Sequence, residues 1–229
     1  MIEYAINIEP LYPELEFCEK IERVSAAGFN AIEFWAWDNK NVEKIKQTCK
    51  KNKVKVQAFG ATTHYSLCDL ENHENCIEWL NKTIDVAKEL ECNYLILFPN
   101  HFGENGAVDF RDKYSNESAI ANITSALCKM APILEENDII GLLEPLANIG
   151  ADSGMTVTDT SVGADIVRAV GSKNVRLLCD VFHMQVMHGN LLQNILSNTD
   201  IPGFGTAEEL YKKYGYDLNS VMEYVESLF

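Results

Sequence analysis

Apolar positions along this chain recur in two alternating rhythms. Short continuous apolar runs are separated by longer stretches in which apolar residues return every three or four positions. The first rhythm reads as buried parallel strands and the second as amphipathic helices. On this pattern Tyr4–Ile8 is a first strand, and Glu16–Ala27 is a helix closed by Gly28. Ala31–Trp35 is a second strand, followed by a basic helix over Asn41–Lys51. Val54–Ala61 and Asn93–Phe98 are the third and fourth strands, with a long amphipathic helix, Glu71–Glu91, between them. Ser115–Glu136 is a helix with Ser115 as its N-cap. Ile139–Leu143 is the fifth strand, and Thr158–Val170 a helix ending at Gly171. Val175–Cys179 is the sixth strand and Met184–Leu196 its helix.

Six strand–helix units over about 199 residues give a repeat of roughly 33, the size of a βαβ step. No Gly-x-Gly-x-x-Gly follows the first strand, which argues against a dinucleotide-binding sheet. The expected fold is therefore an α/β protein, a TIM (β/α) barrel, with residues 1–229 forming a single domain. Beyond Asn198 the rhythm changes to Ile201-Pro202-Gly203-Phe204-Gly205, then short helices over Thr206–Tyr214 and Leu218–Leu228. A seventh and an eighth strand are not recognisable there, and typical barrels use about 250 residues. The barrel is expected to be incomplete or irregular after the sixth βα unit.

Two carboxylates stand at the ends of the fifth and sixth strands, Glu144 before Pro145 and Asp180 with His183 one helical turn beyond. Barrels place their chemistry at the C-terminal ends of strands, and hard divalent cations take oxygen ligands of this kind. Each acid also has a plainer reading, as the cap of the helix that follows. Glu33 ends the second strand and either binds hydroxyl groups or pairs with a neighbouring side chain. Trp35 and Trp37 form either an apolar wall or part of the core. His64 follows the third strand and His101 the fourth, so both are expected at the mouth; His73 falls at a helix start and His188 on a helix surface.

With 19 basic against 34 acidic residues, a formal net charge of −15, the chain is a poor partner for nucleic acid or an anionic membrane. Its seven cysteines are odd in number and contain no Cys-x-x-Cys, which fits reduced thiols in a cytoplasmic protein. The start, Met1-Ile2-Glu3-Tyr4, shows no signal-peptide pattern, and no apolar run approaches the ~18 residues of a membrane span. A homo-oligomer remains open.

Longer segments resemble a known family. Leu142-Leu143-Glu144-Pro145-Leu146, Val170-Gly171-Ser172-Lys173-Asn174-Val175 and Asp180-Val181-Phe182-His183-Met184-Gln185-Val186-Met187-His188-Gly189 resemble hydroxypyruvate isomerase and its xylose-isomerase-like relatives. Ala27 to Trp35, Thr63-His64-Tyr65-Ser66-Leu67 and Asn72-His73 are similar to that family's second strand and third loop. The resemblance covers about residues 4–198, leaving 199–229 as a divergent tail. It implies a TIM barrel holding a divalent metal, Mg²⁺ or Mn²⁺, with Glu144 and Asp180 as ligands and Glu144 and His183 as catalytic groups. Glu33, Trp35, His64, His101 and His183 then meet a small sugar or hydroxy-keto acid, isomerised or epimerised through an enediolate. The family's two further ligands, from strands seven and eight, have no match in the tail, so the resemblance implies weakened activity. The alternative is a non-catalytic or vestigial barrel that binds a small polar ligand.

Overall fold

The computed structural model describes residues 4–62, 64–101, 113–148 and 154–198. Runs apolar on both faces become strands with both faces covered. These are β1 (Ile6–Asn7), β2 (Ala31–Phe34), β3 (Lys55–Gly60), β4 (Tyr94–Leu97), β5 (Ile140–Leu143) and β6 (Val175–Leu177). They pair in chain order, every pair parallel, as six successive βα units require. The chain winds back over the sheet through α1 (Phe17–Ala26), α2 (Val42–Asn52), α3 (His73–Glu89), α4 (Asn116–Glu136) and α5 (Thr160–Val170). The expected tail helices and any closing strands fall in residues 199–229, outside the described residues.

Local chemistry sets the boundaries. A reciprocal capping box between Glu16 and Glu19 starts α1, and the Asn41 side chain accepts from Lys44 N at 2.9 Å to start α2. Ser115 caps α4 as its sequence position requires, accepting from Ser118 N, and Gly171 closes α5 at a left-handed φ of 69°. One expectation fails in detail. The single helix read over Met184–Leu196 is two helices, α6 (Val181–Met187) and α7 (Leu191–Leu196). It begins early because Asp180 caps it, and it breaks at Gly189 and Asn190, both at positive φ.

The core lies between sheet and helices. Phe34 stacks on Phe59 at 5.2 Å and meets Phe17 of α1 edge-on at 5.3 Å. Ile32, Leu95, Leu97 and Leu143 from the strands are fully buried, as are Ile21, Ile45, Leu80, Ile123 and Leu127 from the helices. Two glycines permit the closest approaches. A Cβ on Gly163 of α5 would stand 2.8 Å from Leu177 Cδ1 and 2.9 Å from Pro145 Cγ, so α5 can seat against the Glu144–Pro145 corner only without a side chain there. Among the described helices, none is long and apolar enough to cross a membrane.

Candidate functional site

Parallel strands of a curved sheet deliver their C-terminal ends to one place. Here they open on a cavity of about 980 Å³ that collects residues from all six units. Asn7 enters from β1, Glu33 from β2, Trp35 from just past its end, and Thr62 from the loop after β3. Phe98, Asn100 and His101 come from beyond β4, Glu144 and Leu146 from beyond β5, and Cys179, Asp180, Phe182 and His183 from beyond β6.

Glu144 is the first residue past β5, and its backbone N–H bonds Leu97 O at 3.1 Å, which keeps it in the sheet's register. Only 8% of it is exposed. Among the described residues nothing donates a hydrogen bond to its carboxylate, so it caps no helix. Burial, and then the charges of Asp180 and Glu33, push its pKa from 4.5 up to about 8. Asp180 divides its carboxylate. Oδ1 accepts from Phe182 N at 2.7 Å and His183 N at 3.1 Å, capping α6, while Oδ2 faces His183 Nε2 at 4.0 Å. The capping reading therefore holds for Asp180 and leaves one oxygen free for the site.

Ligand atoms of Glu144, Asp180 and His183 lie within 4.8 Å of one another. Two oxygens on one cation, each at roughly 2.0–2.6 Å, stand no more than ~5 Å apart, so the spacing suits a shared ion. Two carboxylate oxygens are a hard donor set, matched to Mg²⁺ or Mn²⁺. The imidazole plays another part. His183 Nδ1 accepts the Ala147 backbone N–H at 3.1 Å, so the neutral ring carries its proton on Nε2. An Nε2–H donates to an oxygen and cannot at the same time coordinate a cation. The residues present fit a cation held by Glu144 and Asp180 with His183 beside it as a donor.

The remaining expected residues divide. Glu33 lines the opposite wall, its pKa raised by burial, lowered by a hydrogen bond from Asn7, and raised again by the Asp180 charge, with a net upward shift. Trp35 lines the cavity, half exposed at 50%, and His101 lines it too. His64 is not among the lining residues: its Nε2 lies 2.8 Å from Asp38 Oδ2, and its ring meets Trp79 edge-on at 4.3 Å. Its ring also stacks at 6.5 Å on that of His101, which does line the cavity. Trp37 stacks on Trp79 at 5.1 Å and donates to Thr83 Oγ1, so it belongs to packing and not to the wall. His73 is buried with Nε2 on Leu67 O, and His188 pairs with Asp159 at 3.3 Å. Sequence reasoning missed Asn7, Thr62 and Asn100. Asn100 follows an apolar run much as Glu144 does, and that position was a usable signal, whereas Asn7 stands inside the first strand.

Comparison with known proteins agrees with the fold. Residues 21–219 match the profile of the xylose isomerase-like TIM barrel family. Hydroxypyruvate isomerase of Escherichia coli (strain K12) is 23% identical over 210 residues, covering 87% of this chain and 77% of that protein. The crystal structure of AP endonuclease, family 2, from Brucella melitensis shares the fold with a TM-score of 0.78 at 18% identity, covering 87% of this chain and 76% of that one. The structure of IOLI protein with a binding zinc atom gives a TM-score of 0.69 at 18% identity, over 85% of this chain and 68% of that chain. With most of its length matched by the family profile, six parallel strands in chain order and its polar groups gathered at their C-terminal ends, this chain belongs to the xylose isomerase-like TIM barrel family.

Proposed function

We propose that the chain is a divalent-metal-dependent isomerase or epimerase of small sugars or hydroxy-keto acids, working through an enediolate. The observation that carries the reading is the meeting of Glu144, Asp180 and His183 within 4.8 Å at the ends of β5 and β6. The kinship with hydroxypyruvate isomerase supports the same reaction class. Aldose–ketose interconversion moves a proton between adjacent carbons, so it needs a base that can also return what it takes. Glu144 is buried at the site, and its carboxylate, freed of its proton when a cation binds, is the base suited to that exchange. Glu144 and Asp180 would hold the cation. His183 donates Nε2–H to a substrate oxygen and stabilises negative charge there. A bound Mg²⁺ or Mn²⁺ supplies Lewis-acid polarisation of the carbonyl and hydroxyl oxygens.

The test is turnover of hydroxypyruvate and small ketoses with added Mn²⁺, alongside Glu144→Gln. Turnover lost in the variant supports the assignment. Turnover that survives it moves the chemistry to other residues. No turnover, with no cation-dependent gain in thermal stability, favours a barrel that binds without catalysis, since a cation that binds only the folded chain must stabilise it.

A further inference from the structure

The end of the sheet opposite the cavity, where helices finish and strands begin, carries charge in two halves. Lys50 and Lys51 stand in the last turn of α2, Lys53 is its C-cap and Lys55 opens β3, all four exposed. Glu22 of α1 pairs with Lys51 at 2.9 Å across this basic half. The neighbouring half is acidic. Glu89 and Glu91 stand at the end of α3, and Glu135, Glu136 and Asp138 at the end of α4, with Glu89 half-buried and the others exposed. Lys88 ties these two helix ends together, donating to Asn137 Oδ1 at 2.6 Å, and Lys173 bounds the acidic half in the turn before β6. Local helix physics accounts for only part of this. Lysines at the end of α2 complement its dipole, but Glu89, Glu135 and Glu136 oppose theirs, and the last turn of α4 holds no basic residue. The turns add a second cost. Lys53, Glu91 and Asp138 follow α2, α3 and α4 at φ of 55°, 55° and 53°, left-handed values that favour glycine. After α1 and α5 the chain does use glycine at such a φ, Gly28 and Gly171. The three turns between them each carry a charge instead, of the sign of the half in which it stands.

We propose that this face docks a second copy of the chain about a two-fold axis, the lysine half of each copy lying on the acidic half of the other. A two-fold contact uses the same patch on both partners, so the patch must be complementary to itself. Two adjoining halves of opposite sign meet that condition, and they adjoin because β3, β4 and β5 are neighbours in the sheet. Nucleic acid or an anionic lipid surface would meet the lysine half together with the acidic half and a net charge of −15. A contact held by such pairs is salt-sensitive, and charge complementarity fixes its orientation more than its strength. The cavity lies at the other ends of the same strands, so copies joined back to back keep both mouths open.

The test is sedimentation equilibrium of the full chain. In 0.1 M NaCl the Debye length of about 10 Å screens the repulsion between two acidic chains and spares charges in contact; in 1 M it is about 3 Å. Wild type should dimerise in 0.1 M NaCl, with a dissociation constant that rises roughly tenfold in 1 M. Lys50→Glu with Lys53→Glu makes both halves acidic, and Glu91→Lys with Glu136→Lys makes both basic. Each double variant alone should be monomeric, the second even though it brings the net charge closer to zero. An equal mixture should restore a dimer of one copy of each, because every half then faces its opposite. Lys53→Gly separates this role from a structural one: it should raise the urea midpoint by relieving the left-handed backbone while weakening the dimer. A lysine serving the fold alone would leave association unchanged. A monomeric wild type in 0.1 M NaCl, a dimer indifferent to salt or to either double variant, a mixture that stays monomeric, or full association in Lys53→Gly would each overturn the proposal.

Discussion

Cation binding at this site should release a proton, and Glu144 is its source. Ligation requires the carboxylate, so metal affinity must track ionisation. Glu144 has a pKa of about 8 in the metal-free chain. About half of it is ionised at pH 8 and roughly one part in a hundred at pH 6, so the apparent Mn²⁺ dissociation constant should rise roughly 50-fold across that interval, ~2.3 kcal/mol. Calorimetric titration in two buffers of different ionisation heat counts the protons: about one released per cation at pH 6 and about half of one at pH 8. The same group also sets a pH dependence of folding. Its folded pKa lies above the ordinary 4.5, so its contribution is fully present below pH 4.5 and is lost as pH rises through about 8. Glu144→Gln should then be neutral to metal-free stability at pH 5 and stabilising at pH 9, with a ceiling of about 5 kcal/mol. Urea midpoints at the two pH values measure this. Proton-free Mn²⁺ binding, or the same midpoint shift at both pH values, would refute the reasoning.

Asp180→Asn keeps an N-cap oxygen and removes the charge, so stability should stay within ~0.5 kcal/mol while Mn²⁺ affinity falls at least roughly tenfold; Asp180→Ala should cost about 1 kcal/mol more in urea denaturation. Gly163→Ala drives a methyl into Leu177 and the Pro145 ring, which should cost about 1–3 kcal/mol and weaken Mn²⁺ through the displaced Glu144; an unchanged urea midpoint would contradict the packing. Asp69, 1% exposed, accepts from Lys113 Nζ at 2.9 Å and Tyr114 Oη at 2.7 Å. Asp69→Ala should therefore cost about 1–3 kcal/mol in the same assay without altering Mn²⁺ affinity.

The six strand–helix units were readable because each rests on a local pattern: a run apolar on both faces, then a helical stripe with a cap. Glu144 and Asp180 were readable because the end of a parallel strand is a sequence position with a known destination. What could not be read were pairings made across strands. Nothing near His64 in the chain marks Asp38 and Trp79 as its neighbours, yet it meets them at 2.8 Å and 4.3 Å and is not among the residues lining the cavity. Asn7 looks like any polar residue in a short strand until the register sets it beside Glu33. The break in the last helix was present locally as Gly189-Asn190, but the apolar stripe from Met184 to Leu196 runs unbroken across it, and periodicity is blind to a positive φ.

Asp180 shows why the choice between cap and ligand had no answer at the level of sequence. A carboxylate has two oxygens, and the geometry of a helix start uses one of them. By accepting from Phe182 N and His183 N, Oδ1 fixes both the first turn of α6 and the direction in which Oδ2 points. The same turn delivers His183 to the Ala147 N–H, which selects the protonated nitrogen. The cap thus orients the proposed ligand and donor together, and a side chain that starts α6 but reaches less far, such as Ser in Asp180→Ser, should preserve the fold while dissolving the site.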